Sequence, residues 1–385
     1  MFGRRRCGWL AGFLCASALL LAGCGDFFNK DGGGGGGGGG STGSYTYVGT
    51  QNGVLVGYAV STTGALATLS GSPNQFATVG INALAVTPAN TFLYAGVSGV
   101  GVYGLGIASG TGVTTLINTN ALVQDVAPSA LTVDPSGKYV LVAGLANGAP
   151  AVGEYLINSD GTLAELTGSP VSITFPSGTD TSNASVTNIV VAPNSSYVFV
   201  TLGQLGVAPL PFNTSGGLSA NTQIINPKAT SNIANQDLGL AVNPASTALF
   251  VGETNVGVRV FTIAASKFTE ISGSPFKAGA QPRSLLFDGT GDFLYVANGS
   301  DATISGYSVL ASGTLTALAG SPFSSVGAGP NALALDQSKK FLLSANLGGS
   351  PDLQLFSFDT TTAGKLNPGA TATNASAAAA IASTH

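Results

Sequence analysis

The sequence predicts an all-β fold, a seven-bladed β-propeller made of four-stranded antiparallel blades. Three observations support this prediction: a unit that recurs along the chain, strand signatures within each copy, and the lack of a sustained 3.6-residue periodicity. The apolar anchor residues of successive copies are Leu84, Leu131, Ile189, Leu240, Leu285 and Leu333. They follow one another at intervals of 45 to 58 residues, which is typical of propeller blades and other repeat arrays. An open β-solenoid is the alternative, but its coils are shorter than this period.

Each copy predicts four strands, called a to d. In the copy that begins at Pro282, strand a is apolar, a turn follows at 288–291, and strand b is the aromatic and β-branched run 293–298. Strand c alternates apolar and polar residues, and strand d follows a Gly-x-Leu step and leads to Gly-Ser-Pro. Asp and Gly suit the a–b turn because Asp bonds to its own backbone and Gly accepts a positive φ. Three acidic residues that recur at this turn are therefore interpreted as turn formers: Asp134, Asp288 and Asp336.

The C-terminal segment is predicted to close the ring. The first copy starts with strand b at 45–48 and lacks a strand a of its own. Ile381 lies 48 residues after Leu333, where another strand a belongs, so residues 377–382 are expected to form the innermost strand of the first blade. Closure protects the edges of the sheets. A frayed Ala-rich tail or a short helix is the alternative, since Ala favours helix.

Residues 1–23 are predicted to be a signal peptide. Arginines at 4–6 provide a positive start, and the apolar run at 8–21 is shorter than the roughly 20 apolar residues that a membrane-spanning helix needs. The run ends in Leu21-Ala22-Gly23-Cys24, which resembles the lipobox of bacterial lipoproteins, where the cysteine is lipidated and everything before it is removed. An ordinary secretory signal in which Cys24 is incidental is the alternative.

Cys24 is thus the expected site of lipidation and of membrane contact. Each buried CH₂ contributes about 0.8 kcal/mol, so several acyl chains hold a protein firmly. Gly25 follows Cys24; in the sorting pattern that this resembles, an Asp there favours the inner membrane, so we expect the outer membrane, on its periplasmic or surface face. The nine glycines at 32–40 behave as a flexible coil. Residues 24–44 are accordingly predicted to be a linker, and residues 45–385 the propeller.

Composition narrows the classes of function. The net charge of −4 becomes −7 without the three N-terminal arginines, which argues against nucleic-acid binding. Charged residues make up 8% of the chain, against about 25% in an average domain. All cysteines other than Cys24 lie within the predicted signal peptide, and the one histidine is His385. A thiol nucleophile, a histidine base and a histidine zinc site are therefore not expected, and neither a metal nor a cofactor is predicted.

The combination of Pro-x-x-Leu, Asp-x-x-Gly, Leu-Tyr-Val-Ala-Asn, Gly-x-Leu and Gly-Ser-Pro resembles the lactonase-type seven-bladed propellers, a family that includes 6-phosphogluconolactonase. The resemblance covers about residues 45–382 and implies the propeller fold and, as an expectation, the opening of a sugar lactone. In lactonase members strand a often starts with Pro-Arg-His, which aims Arg and His at the central pocket. Here Pro282-Arg283-Ser284 keeps the Arg and lacks the His. The matching positions of the other copies also lack it: Ala83, Ala130, Asn188, Gly239 and Ala332.

Few charged residues project onto the funnel formed by the starts of strands a and the b–c loops. Lactone hydrolysis needs a base and a stabilised oxyanion. Glu253 or Asp237 is the candidate base, and Arg283 is the candidate group that holds the oxyanion or a phosphate. Three polar residues of adjacent blades are predicted to bind the ligand: Asn298, Asp301 and Asn346. The alternative is that the charged groups are solvated or form a surface ion pair, worth about 0–1 kcal/mol.

Three functions follow from these observations. The first is a lipid-anchored envelope propeller, expected to be a monomer, that binds a glycan, peptide or protein partner through its funnel or loops. The second is a lactonase-like hydrolase of carboxylic esters that uses the residues above. The third is a structural envelope protein with a vacant funnel. Low charge and missing histidines favour the first, and the family resemblance favours the second.

Overall fold

The computed structural model describes residues 43–215, 217–226, 235–264, 266–348, 350–373 and 377–385. The predicted signal peptide, Cys24 and most of the predicted linker lie outside these ranges. The described residues form strands, joined by turns and loops, that assemble into seven separate antiparallel sheets. None of these ranges contains a helix whose length and apolar character would let it span a membrane.

The strands are short, as expected for propeller blades. In chain order, those of the first half are β1 Ser44–Thr50, β2 Val54–Val60, β3 Leu66–Thr68, β4 Asn74–Gln75, β5 Ile81–Val86, β6 Phe92–Val97, β7 Gly101–Ile107, β8 Thr114–Leu116, β9 Ala127–Val133, β10 Tyr139–Ala146, β11 Ala149–Ile157, β12 Leu163–Glu165, β13 Val171–Ser172, β14 Ile189–Val191, β15 Tyr197–Thr201, β16 Val207–Asn213 and β17 Gly217–Leu218. Those of the second half are β18 Asp237–Val242, β19 Ala248–Glu253, β20 Gly257–Ala264, β21 Lys267–Glu270, β22 Pro282–Phe287, β23 Phe293–Asn298, β24 Thr303–Val309, β25 Leu315–Ala317, β26 Phe323–Ser324, β27 Pro330–Leu335, β28 Phe341–Asn346, β29 Leu353–Phe358, β30 Leu366–Ala372 and β31 Ala378–Ser383.

Each sheet is one blade with strands a, b, c and d in order from the inside outwards. Blade 1 is β31-β1-β2-β3, and the blades that follow are β5 to β8, β9 to β12, β14 to β17, β18 to β21, β22 to β25 and β27 to β30. In blades 1, 3 and 6 a further short strand, β4, β13 or β26, also pairs with strand c. We call the side that carries the starts of strands a and the ends of strands b the funnel face, and the side of the a–b turns the turn face. The predicted propeller of seven four-stranded blades is confirmed.

The C-terminal strand closes the ring, as predicted. β31 pairs antiparallel with β1, with Ile381 opposite Val48, and supplies the innermost strand that blade 1 otherwise lacks. Ile381 and Val48 are buried together with residues of blade 7 such as Leu343. The last strand therefore joins the first and the last parts of the chain into one packed unit.

The sequence motifs of the repeat have definite roles in the blades. Asp134 Oδ1 accepts hydrogen bonds from the backbone N–H groups of Lys138 and Tyr139, at 2.7 and 2.6 Å, and Asp288 and Asp336 act in the same way. These carboxylates are turn formers, as expected. In the four Gly-Ser-Pro tripeptides that follow strand d, the Ser accepts a backbone N–H of strand c, in the pairs Ser72 with Gly57, Ser169 with Glu154, Ser274 with Val260 and Ser321 with Gly306.

The core lies between neighbouring blades. Each apolar cluster combines residues of two blades; Phe199 of blade 4, for example, is buried with Leu249 of blade 5. Four strand b tyrosines also cross this boundary: the hydroxyls of Tyr47, Tyr94, Tyr139 and Tyr295 donate to turn carbonyls of the next blade, at 2.7, 2.9, 3.2 and 2.6 Å. Because each blade is completed by its neighbour, the ring holds seven strand a termini around one central cavity.

Candidate functional site

A funnel lies at the centre of the ring on the funnel face. It is a cavity of about 770 Å³, within the size range of small-molecule sites. Its wall consists of the inner strands, with a few residues from the loops that follow strands b. The polar residues of this wall are Gln51, Asn82, Ser129, Thr187, Asn188, Gln236, Thr254, Gln281, Arg283, Ser284 and Asn331.

A β-bulge at the start of strand a turns one residue into the funnel in six of the seven blades. In blade 6 the register shifts between Pro282 and Ser284, which leaves Arg283 without a partner across the sheet. Similar shifts occur in blades 1, 2, 3, 5 and 7. A bulge places an extra residue on one strand and re-aims its side chain. The bulge residues, which all line the funnel, are Ala379, Asn82, Ser129, Leu238, Arg283 and Asn331, with Thr187 in the corresponding position of blade 4.

Arg283 is the charged residue among the described residues that line the funnel. Its Nη1 donates to Asn331 Oδ1 at 3.0 Å and its Nη2 donates to Gln281 Oε1 at 3.1 Å. Asn331 in turn donates through Nδ2 to the carbonyl of Ala379 at 2.6 Å. The guanidinium is therefore fixed by neutral side chains and keeps its positive charge uncompensated by these contacts.

Asp237 and Glu253 lie next to each other, but beneath the wall of the funnel. They face each other across strands a and b of blade 5, and their exposed fractions are 0% and 1%. Asn226 Nδ2 lies 3.3 Å from Asp237 Oδ1 and 3.2 Å from Glu253 Oε2. Glu253 also accepts a hydrogen bond from Arg259 Nε. Neither carboxylate is part of the funnel lining.

Arg259, a residue of strand c, is the cation that the sequence analysis did not select. It bridges Glu253 and Glu270, with 2.8 Å between its Nη1 and Glu270 Oε1. Burial alone lowers the pKa of Arg259, but the hydrogen bonds to both carboxylates outweigh this effect and raise the pKa above its usual value. The expected convergence of Asp237, Glu253 and Arg283 is thus corrected: the carboxylates pair with Arg259 inside the blade, and Arg283 lies apart in the funnel.

The three predicted ligand-binding residues hold loops on the funnel face. Asn298 Nδ2 donates to Thr303 Oγ1 at 3.0 Å, and Asp301 Oδ2 accepts the N–H of Ala280 at 2.6 Å. Asn346 Nδ2 donates to the carbonyl of Pro351 at 3.2 Å. None of the three is part of the funnel lining, and both asparagines are fully buried. Their polar atoms are used within the loops, and a ligand-binding role for them stays a prediction.

The described residues give little support to a metal site or to catalysis by histidine. It contains no group of three or more His, Cys, Asp or Glu side chains placed to hold a metal ion. His385 lies on the turn face, where its Nε2 is 3.2 Å from the carbonyl of Val86 and its backbone N–H donates to Asn90. The histidine is therefore remote from the funnel.

Comparisons with known proteins agree with this architecture. The family described as lactonase, 7-bladed β-propeller, matches residues 41–382. The chain belongs to this lactonase family. A putative 6-phosphogluconolactonase from Bacteroides fragilis is similar in structure, with a TM-score of 0.72, 17% identity, and coverage of 89% of this chain and 98% of that one. A second putative 6-phosphogluconolactonase, from Bacteroides uniformis, has a TM-score of 0.70, 18% identity and coverage of 89% and 99%.

The periplasmic gluconolactonase of Pseudomonas aeruginosa is also similar, with a TM-score of 0.67, 18% identity and coverage of 89% and 99%. At these identities the likeness shows the fold alone. A search of curated protein sequences finds no match. Membership of the lactonase family thus identifies the blade type. The function has to be inferred from the residues of the funnel.

The positions where the lactonase resemblance implies histidine do face the funnel in this chain. Five of them line it: Ala83, Ala130, Asn188, Ser284 and Ala332. None carries an imidazole, so this member of the lactonase family retains the cavity and Arg283 without the histidines. The ring of bulge residues was missed at the sequence level, although each one stands two residues before an apolar anchor. That spacing was the available signal, but a bulge is recognised only from the pairing of two strands.

Proposed function

We propose that this lactonase-family propeller is an envelope binding module whose funnel takes a polyhydroxylated, sugar-like ligand with an acidic or carbonyl group. The observation that carries the proposal is the chemistry of the funnel wall. Side-chain amides and hydroxyls, suited to sugar hydroxyl groups, surround one arginine in a cavity of about 770 Å³. We assign Arg283 to the acidic or carbonyl oxygen, since its fork of donors matches such oxygens.

The lack of a base in the wall favours binding over hydrolysis. Among the described lining residues there is no carboxylate and no histidine, and general base catalysis needs a group within hydrogen-bond reach of the attacking water. Asp237 and Glu253 are the candidate bases. Both are buried, and Glu253 is engaged by Arg259.

Hydrolysis of a sugar lactone is the second candidate, and one observation favours it. The chain belongs to the lactonase family, and Arg283 stands in the funnel where an oxyanion would need a donor. In this case Glu253 or Asp237 would act as the base, with Arg283 on the oxyanion. This role of the three residues stays a prediction.

One pair of assays separates the two functions. Purified protein is titrated with D-gluconate and, as a neutral control, D-sorbitol, and its hydrolysis of D-glucono-1,5-lactone is compared with the spontaneous rate. We expect gluconate to bind, an Arg283→Met variant to lose that affinity about tenfold or more, and hydrolysis to stay at the spontaneous rate. Hydrolysis that exceeds this rate and is lost in Glu253→Gln would instead establish the hydrolase.

The envelope part of the proposal rests on the N-terminal sequence, outside the described residues. Lipidation at Cys24 predicts that the protein fractionates with the outer membrane. A Cys24→Ala variant is expected to be released in soluble form, and unchanged membrane association of this variant would contradict the anchor.

A further inference from the structure

We propose that Asn331 is a positioning residue that fixes the Arg283 guanidinium in the funnel and connects it to the strand that closes the ring. This inference deepens the proposed function, because it concerns the group that we assign to the acidic end of the ligand. Asn331 holds Arg283 Nη1 on one side, at 3.0 Å, and the carbonyl of Ala379 on the other, at 2.6 Å.

The three residues occupy one position of the repeat. Arg283, Asn331 and Ala379 are the bulge residues of blades 6, 7 and 1, and they follow one another at intervals of 48 residues. They therefore form a chain of contacts around the funnel wall, from Arg283 to Asn331 to the closing strand β31. An apolar residue, Leu238 of blade 5, precedes this chain, and the apolar side chain of Ala379 ends it.

The chemistry of the two contacts requires a side chain that both accepts and donates, and the amide of Asn331 meets this requirement. A guanidinium only donates hydrogen bonds and a backbone carbonyl only accepts them, so the residue between them has to accept on one side and donate on the other. Asn does both with a planar, rigid group. Asp would accept from Arg283 but would face the Ala379 carbonyl with a second acceptor, and it would compensate the positive charge that an anionic ligand needs.

The backbone next to Arg283 adopts a positive φ. Gln281, whose Oε1 accepts from Arg283, has a φ of 55°, which is unusual for a residue with a side chain and costs energy. At the same position two residues before the bulge, blade 7 has Gly329 with a φ of 69° and blade 1 has Ala377 with a φ of 54°. Glycine meets this conformation without strain. Blade 6 instead carries a glutamine, and its side chain secures Arg283 from the other side.

A reactivity measurement tests the positioning without any ligand. Phenylglyoxal modifies arginine, and peptide mapping by mass spectrometry follows Arg283 and Arg259 separately. In Asn331→Ala we expect Arg283 to be modified several-fold faster than in the unchanged protein, since one of its two side-chain acceptors is gone. Arg259, held by Glu253 and Glu270, should react at an unchanged rate and serves as the internal control.

A double-mutant cycle then tests the link to binding. With D-gluconate as the probe, Asn331→Ala should lower affinity about fivefold to tenfold, the size of one typical hydrogen bond. In an Arg283→Met background the same change should have no further effect. Asn82→Ala is the matched control: it removes an asparagine from the bulge position of blade 2, and its effect should add to that of Arg283→Met.

A conservative variant and the melting curve separate positioning from folding. Asn331→Asp should keep the contact with Arg283 but abolish gluconate binding, with sorbitol binding unchanged. A melting temperature within a few degrees of the unchanged protein shows that each variant is folded; if Asn331→Ala fails this criterion, Asn331→Asp carries the test. An unchanged rate of Arg283 modification, or full additivity of Asn331→Ala with Arg283→Met, overturns the inference. Failure of gluconate to bind the unchanged protein would refute the proposed function and leave the reactivity result standing.

Discussion

Blades 2 to 4 and blades 5 to 7 share one backbone arrangement but differ in chemistry near the end of strand b. In the first group this position is apolar or glycine: Val97, Gly144 and Leu202. In the second group it is polar and buried: Glu253, Asn298 and Asn346. The neighbouring strand c position follows the same division, with Tyr103, Gly153 and Ala208 against Arg259, Ser305 and Gln354.

The difference teaches that the fold does not require the polar groups. Apolar residues complete the same part of the blade in the first group, and buried ion pairs contribute little net stability compared with apolar packing. The polar residues of blades 5 to 7 also have an energetic cost, because Gln354 Nε2 is buried without a hydrogen-bond partner. Because Arg283 and Asn331 also belong to blades 6 and 7, the polar side of the ring coincides with the charged part of the funnel.

Breaking the ion pair of blade 5 should cause the largest loss of stability. Arg259→Met leaves the buried Glu253 without this cation, and the free energy of unfolding should fall by about 3–5 kcal/mol, as is typical of one-sided removal of a buried pair. Denaturant unfolding measures this change.

The matched control introduces into blade 5 the two residues that blade 4 has at the same positions. Glu253→Leu together with Arg259→Ala reproduces the Leu202 and Ala208 pair, and this variant should recover most of the lost stability. A double variant no more stable than Arg259→Met would mean that the ion pair is essential to the blade.

Blade 3 belongs to the apolar group of blades but contains a buried carboxylate. Glu154 of blade 3 is buried, its Oε2 accepts the N–H of Leu218 in blade 4 at 2.8 Å, and its Oε1 has no hydrogen-bond partner. Burial raises the pKa of Glu154 above its usual value, although the hydrogen bond from Leu218 opposes this shift. A group whose pKa is raised by folding stabilises the fold below its unfolded pKa, and this contribution is lost as the pH rises through the folded pKa.

The stability of the unchanged protein should therefore contain a component that declines with rising pH above the usual range of a glutamate. Glu154→Gln removes this component and should be more stable at neutral pH by about 1–3 kcal/mol, the cost of an unsatisfied buried polar group. Thermal unfolding at pH 4 to 8 measures both curves. Parallel curves for the two proteins would show that Glu154 does not titrate in this range.

A change at Gln281 should have the smallest effect on stability. Gln281→Gly copies the glycine of blade 7 at Gly329, so it should relieve the strain of a positive φ and raise the free energy of unfolding by up to about 1 kcal/mol. The same change removes one acceptor from Arg283 and should weaken gluconate binding. Calorimetric unfolding and titration of one sample report both quantities. A loss of stability would contradict the predicted relief of strain and show that the side chain of Gln281 supports the fold.

Much of the fold was predictable from local patterns, and less of the site was. The turn role of Asp134 and the closing role of Ile381 followed from their places in the repeat, and both are confirmed. The pairing of Glu253 with Asp237 was within reach, since both stand at the funnel end of blade 5. The ion pair between Glu253 and Arg259 could not be predicted, because it depends on which face of the sheet each residue of strand c occupies. The roles of Cys24 and of the proposed site residues stay predictions.

The sequence by itself determined the number of blades, the order of strands within each blade and the closure of the ring. These features follow from periodic apolar strands and turn residues, which act over a few residues and repeat along the chain. The tertiary structure alone decided which side chains enter the funnel. A bulge is a shift in the pairing of two strands, and contacts such as Arg283 with Asn331 join successive blades, so both arise only when the blades have come together around the axis.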